Sequence, residues 1–153
     1  MKLVTIALAA FLIVLAFGQT AGAQTLTLTV TPTSFSFGSG DPDTTPEVAS
    51  PMVTVGFRTQ SMGGKNPLAW HLAMHATTDL TSGSDTIPVA NIRWTATAPL
   101  SSGAALSTSD QTLASGIGNT ATTYSTVTFY LKNLWTYKVG TYSTTIVFTL
   151  SSP

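Results

Sequence analysis

No cysteine occurs in the 153 residues, which excludes disulfide staples, thiol nucleophiles and cysteine-ligated metal cages together. Charge is almost as scarce. Six basic and six acidic residues balance to a formal net charge of +0, and charged residues make up 8% of the chain. A chain this neutral lacks the basic footprint of a nucleic-acid binder. It also offers little attraction to anionic lipid or anionic wall polymers. Histidine occurs only as His71 and His75, so a serine triad would have to use one of these two. No Gly-x-Ser-x-Gly elbow accompanies them. Beyond residue 23 no segment sustains a helical period.

What is present begins with a leader-like segment. Lys2 precedes an apolar core from Leu3 to Phe17, and Ala21-Gly22-Ala23 is a small-residue cleavage site. The apolar run falls short of the roughly 20 residues that a spanning helix needs. Residues 1–23 therefore read as a secretory signal cut after Ala23, and residues 24–153 as a single domain. No later run is long enough to span a membrane, so the product is expected to be secreted, extracellular and at the cell surface. Removing Lys2 leaves five basic against six acidic residues in a chain of about 130, of which about a third are Ser or Thr. That length suffices for one core.

Alternation of apolar and polar residues marks the strands. Leu26, Leu28 and Val30 alternate with threonines up to Pro32, and Phe35 and Phe37 follow. Residues 39–51 read as a loop, punctuated by proline and glycine. Val53, Val55 and Phe57 form the next strand, before a turn at Gly63-Gly64. Trp70, Leu72, Met74 and Ala76 share one strand face, as do Ile92, Trp94 and Ala96. Weaker strands are expected around Ala105-Leu106 and around Leu113. Val127, Phe129 and Leu131, then Tyr142, Ile146, Phe148 and Leu150, make the last two. The pattern predicts an all-β, antiparallel, immunoglobulin-like sandwich of seven to nine short strands.

Little in this pattern carries chemistry. On a strand, His71 and His75 stand about 13 Å apart at roughly 3.3 Å per residue, too far to share one ion, and face away from Trp70, Leu72 and Met74. Asp41, Asp43 and Glu47 form an acidic trio without the remaining ligands of a calcium loop. Asp79 and Asp85 bracket an ordinary hairpin turn. The expectation is a protein without enzymatic activity, catalytic residues, metal or cofactor. Trp70 and Trp94 read as core by their flanking apolar residues. Trp135, in Lys132-Asn133-Leu134-Trp135-Thr136-Tyr137-Lys138, reads equally as a lid over the core or an exposed contact.

Two segments far apart in sequence resemble the signature of bacterial WxL-domain proteins. The first is Trp70-His71-Leu72, followed by Leu80, a turn at Ser82 to Asp85, and Ile87-Pro88-Val89-Ala90-Asn91-Ile92. The second is Tyr142, Ile146, Val147, Phe148, Leu150 and Pro153, with Phe148 where the family has tryptophan. The resemblance implies a secreted, non-enzymatic module that associates non-covalently with the cell wall, with peptidoglycan glycan or other surface proteins as partners. Trp70, Leu72, Trp135, Tyr142, Phe148 and Leu150 are the residues to examine for it. The alternative is a filament subunit that self-associates by donating its first strand, residues 24–31, with Leu26, Leu28 and Val30 entering a neighbour's sheet.

Overall fold

The alternating segments become strands of two sheets whose apolar faces meet. The computed structural model describes residues 6–17, 23–62 and 69–152. The expected Gly63-Gly64 turn, most of the cleavage site (Ala21-Gly22) and Pro153 lie outside the described residues. Twelve strands follow in order: β1 (Ile6–Phe17), β2 (Ala23–Thr31), β3 (Ser34–Phe37), β4 (Glu47–Ala49), β5 (Val53–Met62) and β6 (Ala69–Ala76). After them come β7 (Leu80–Ser82), β8 (Asp85–Ile87), β9 (Ile92–Ala96), β10 (Gln111–Ile117), β11 (Thr120–Lys132) and β12 (Tyr142–Ser152). One 3-10 turn, Val89–Asn91, is the only helical element among the described residues. The fold is an all-β sandwich.

One sheet runs β10-β6-β12-β1-β3, with the β7–β8 hairpin attached to β12 through Ser143 and Thr81. The other runs β2-β5-β11-β4, with β9 also on β11. The two faces interlock at aromatic contacts. Phe35 of β3 stacks on Phe129 of β11 at 5.4 Å, and Phe57 of β5 meets Trp70 of β6 at 5.4 Å. Every large apolar residue assigned to an inward face from residue 26 onward is buried, including Leu26, Val55, Leu72, Trp94, Phe129 and Phe148.

The structure departs from the sequence reading in four places. Among the described residues from Ala23 onward there are eleven strands rather than seven to nine, because short ladders form inside stretches that look like connections. Residues 39–51 include strand β4, paired to β11 through Val48 and Leu131. The expected strand at Ala105-Leu106 is absent. Leu106 is buried there as an irregular plug whose N–H donates to Ile92 O at 2.7 Å. Ile6–Phe17, read as part of a leader, is itself a strand that runs parallel to β12 across ten registered pairs from Ile6↔Tyr142 to Phe17↔Ser152, whereas every ladder among the strands from Ala23 onward is antiparallel as expected.

Candidate functional site

The two signature segments, some seventy residues apart in sequence, are neighbouring strands. β6 and β12 pair antiparallel, with Leu72 opposite Leu150 and Met74 opposite Phe148. Period-two alternation then turns the same set inward. Leu72, Phe148 and Leu150 are each 0% exposed, Tyr142 is 1% and Trp70 7%. These side chains shape the core and present no surface to a polymer. Trp70 packs against Phe57 and lies over Gly116, where any Cβ would sit 2.6 Å from the indole. Its Nε1 is buried and finds no hydrogen-bond acceptor among the described residues.

Leu26, Leu28 and Val30 are placed in β2, which pairs with β5 over nine registered positions from Ala23↔Met62 to Thr31↔Thr54. All three are buried in the chain's own core.

Trp135 differs from the other two tryptophans. It lies between β11 and β12 with its ring 46% exposed, beside a cleft of about 760 Å³. The cleft is walled by residues 42–47 on one side and 132–135 on the other. Local hydrogen bonds build the first wall. Asp41 Oδ1 accepts from Asp43 N at 3.0 Å, and Asp41 O accepts from Thr44 N and Thr45 N at 3.1 and 2.7 Å. An aspartate opening a turn in this way is a common Asx arrangement. Asn133 then ties the walls together. Its Nδ2 donates to Gly40 O and Thr45 O at 3.0 and 2.9 Å, and its backbone N donates to Pro46 O at 2.9 Å. The Trp135 indole donates from Nε1 to Asp43 Oδ1 at 2.9 Å, which fixes one edge of a side chain that remains about half exposed.

The floor of the cleft carries charge. Glu47 accepts a fork from Arg93, whose Nε lies 2.9 Å from Oε1, and Lys132 is its registered partner on β11. The hydrogen bonds from Arg93 hold the Glu47 carboxyl below the usual carboxylate range, and the nearby cations add to the effect. Arg93 itself is braced by the Tyr130 ring, 4.0 Å from its guanidinium carbon. The site therefore combines a half-exposed indole, a carboxylate held ionised, an exposed lysine and a rigid amide. That is a set able to stack on and hydrogen-bond a neutral polar ligand.

The histidines, Asp79 and Asp85 stand apart from this cleft, and the acidic trio beside it does not converge. His71 and His75 alternate with the buried residues of β6 as expected, but β10 lies alongside and half-covers them. His71 Nε2 is 2.9 Å from Thr112 Oγ1, and His75 Nδ1 is 2.7 Å from Asp110 Oδ1. The carboxylates of Asp41, Asp43 and Glu47 are each engaged by a different donor, and no group of three metal-ligating side chains converges among the described residues. Asp79 accepts from Val89 N at 2.8 Å and so anchors the short 3-10 turn. Asp85 accepts from Lys138. No helix is long and apolar enough to cross a membrane among the described residues.

Asn133, Asp43 and the Arg93–Glu47 pair were not singled out as one site by sequence. Asn133 sits two positions from Trp135, the only signal available. Arg93 and Glu47 are 46 residues apart and meet only through sheet pairing. No family model matches this chain, and no curated protein matches its sequence.

Proposed function

We propose that the protein is an exported, non-enzymatic β-sandwich that holds to peptidoglycan glycan through the cleft at Trp135. The observation that carries this reading is the half-exposed Trp135 ring, locked by its Nε1–H bond to Asp43 above a cleft floored by polar groups. Sugar rings offer C–H faces for stacking on an indole and hydroxyls for carboxylate, amide and ammonium partners. A neutral chain suits a ligand that needs no charge complementarity. The WxL resemblance supports the same surface role, with Trp70, Leu72, Tyr142, Phe148 and Leu150 acting as core that sets the sandwich rather than as contacts.

The alternative, filament assembly by donation of residues 24–31, requires β2 to leave nine registered pairs and expose Leu26, Leu28 and Val30. The geometry therefore favours the first reading. Its test is sedimentation of the full chain with isolated peptidoglycan. Trp135→Ala should weaken retention by about fivefold, the worth of one aromatic stack of about 1 kcal/mol. Trp135→Phe, which keeps a ring but loses the Asp43 bond, should fall between. Equal pelleting of all three proteins would contradict the proposal.

A further inference from the structure

Strand β1 occupies an unusual place. It is inserted between β12 and β3 in the middle of a sheet, not added at its rim. Ten residue pairs join it in parallel to β12, and four join it antiparallel to β3. β3 has no other strand partner among the described residues. It is also held from the opposite sheet. Phe35 and Phe37 are buried, edge to face with each other at 5.5 Å, and Phe35 stacks on Phe129 of the opposite sheet. Along Ile6–Ala10 the strands flanking β1 thus stand two strand spacings apart, about 9.5 Å, and one of them is anchored from below; from Phe11 onward β1 pairs with β12 alone among the described residues.

The segment that fills this space is the one whose sequence has the form of a cleavable leader. Cutting after Ala23 would turn β1 from a covalent part of the sheet into a detachable ligand. Its departure would uncover the N–H and C=O row of β12, which faces the pinned β3 along Tyr142–Thr145 and runs on past it at Ile146, Phe148 and Leu150. Phe11, Ile13 and Leu15 stand in register with those three buried residues. The uncovered row of β12 would be an open edge of the kind that recruits other strands, and at its Tyr142–Thr145 end the open row of β3 would face it.

We propose that the slot between β12 and β3 is a strand-acceptor site. β1 holds it in the uncut chain, and after the cut an extended apolar segment of a separate polypeptide takes it, parallel to β12. A second copy of this chain is the poorer donor. Its β2 is engaged along its whole length with β5, and the only apolar strand that the cut releases is β1 itself. The inference is independent of glycan binding, and a domain that captures a strand while ignoring peptidoglycan satisfies it.

The test starts from the full chain with residues 18–22 replaced by a site-specific protease sequence, folded and then cut. The probe is a fluorescent synthetic peptide of residues 4–18 with added terminal lysines for solubility. Size exclusion should show one labelled peptide per domain, with the β12 amides protected from hydrogen exchange. The same peptide carrying Phe11→Asp, Ile13→Asp and Leu15→Asp should not be captured. A cut domain that stays monomeric, keeps β12 protected and takes no label has closed β3 onto β12, which overturns the proposal. Oligomers that form with loss of β2 protection assign the slot to a second copy and overturn it equally. A second variant needs no cut. The full chain with the three aspartates in place should take the wild-type peptide in trans, whereas the natural uncut chain, its slot filled, should not. Equal labelling of both would contradict the inference.

Discussion

At the scale of single residues, the account rests on side chains that are either sealed in the core or committed to one bond. Trp70 is the clearest core case, since its ring is wedged between Phe57 and the Gly116 backbone. Trp70→Ala should cost about 3–5 kcal/mol in a urea melt, as expected for truncating a buried tryptophan. An unchanged midpoint would mean that the ring is not packed as described. Ser50 is a less obvious case. Its Oγ accepts from the buried Phe129 N at 3.0 Å and donates to Pro51 O at 2.7 Å. It thereby bridges the gap in the ladder between β4 and β5, where Pro51 has no N–H to offer. Ser50→Ala leaves the Phe129 N–H without that partner and should cost about 1–3 kcal/mol, whereas Ser50→Thr, which restores a hydroxyl, should recover part of it. Trp70 was legible in the sequence because its neighbours alternate. Ser50 was not, because its role is set by a strand 79 positions away.

At the scale of elements, strands with strong alternation were legible and short or flanked ones were not. β5, β6, β11 and β12 carry unbroken period-two runs. β4 is hidden between Pro46 and Pro51, and only its pairing with β11 makes three residues into a strand. The Glu47–Arg93 fork ties β4 to β9 across β11, and it gives this corner a pH dependence. The Glu47 carboxyl titrates below its ordinary value of 4.5 in the folded state. Its stabilising contribution is thus present above that value and lost as pH falls through the lower folded value. Glu47→Gln should accordingly be less stable than wild type near pH 7, with the difference closing in melts as pH falls from 4.5 through the lower folded-state value. A gap that stays constant down to strong acid would show that the ion pair adds nothing. Because the pair is about a third exposed, the effect should be small and should shrink in high salt.

At the scale of the whole molecule, composition and alternation were enough to specify an all-β sandwich, since no helical period competes after residue 23. They could not show that Ile6–Phe17 is a strand inside the sheet. A continuous apolar run has the same appearance in a leader as in a fully buried strand, and periodicity does not separate them. The candidate site was half legible. Trp135 stood out because it falls outside the alternating strands, but its partner Asp43 lies in a loop some ninety residues earlier, the same loop that Asn133 ties to this wall. The three tryptophans consequently divide by role, with Trp70 and Trp94 in the core and Trp135 at the surface. That division allows the central claim to be read directly. The full chain, labelled with nitrogen-15, is titrated with soluble peptidoglycan fragments while its three indole N–H resonances are followed. Saturable movement of the Trp135 resonance alone, with Trp70 and Trp94 unmoved, is the result that wall binding at this cleft predicts. Three unmoved indoles at saturating fragment, or movement confined to Trp70 or Trp94, would contradict it.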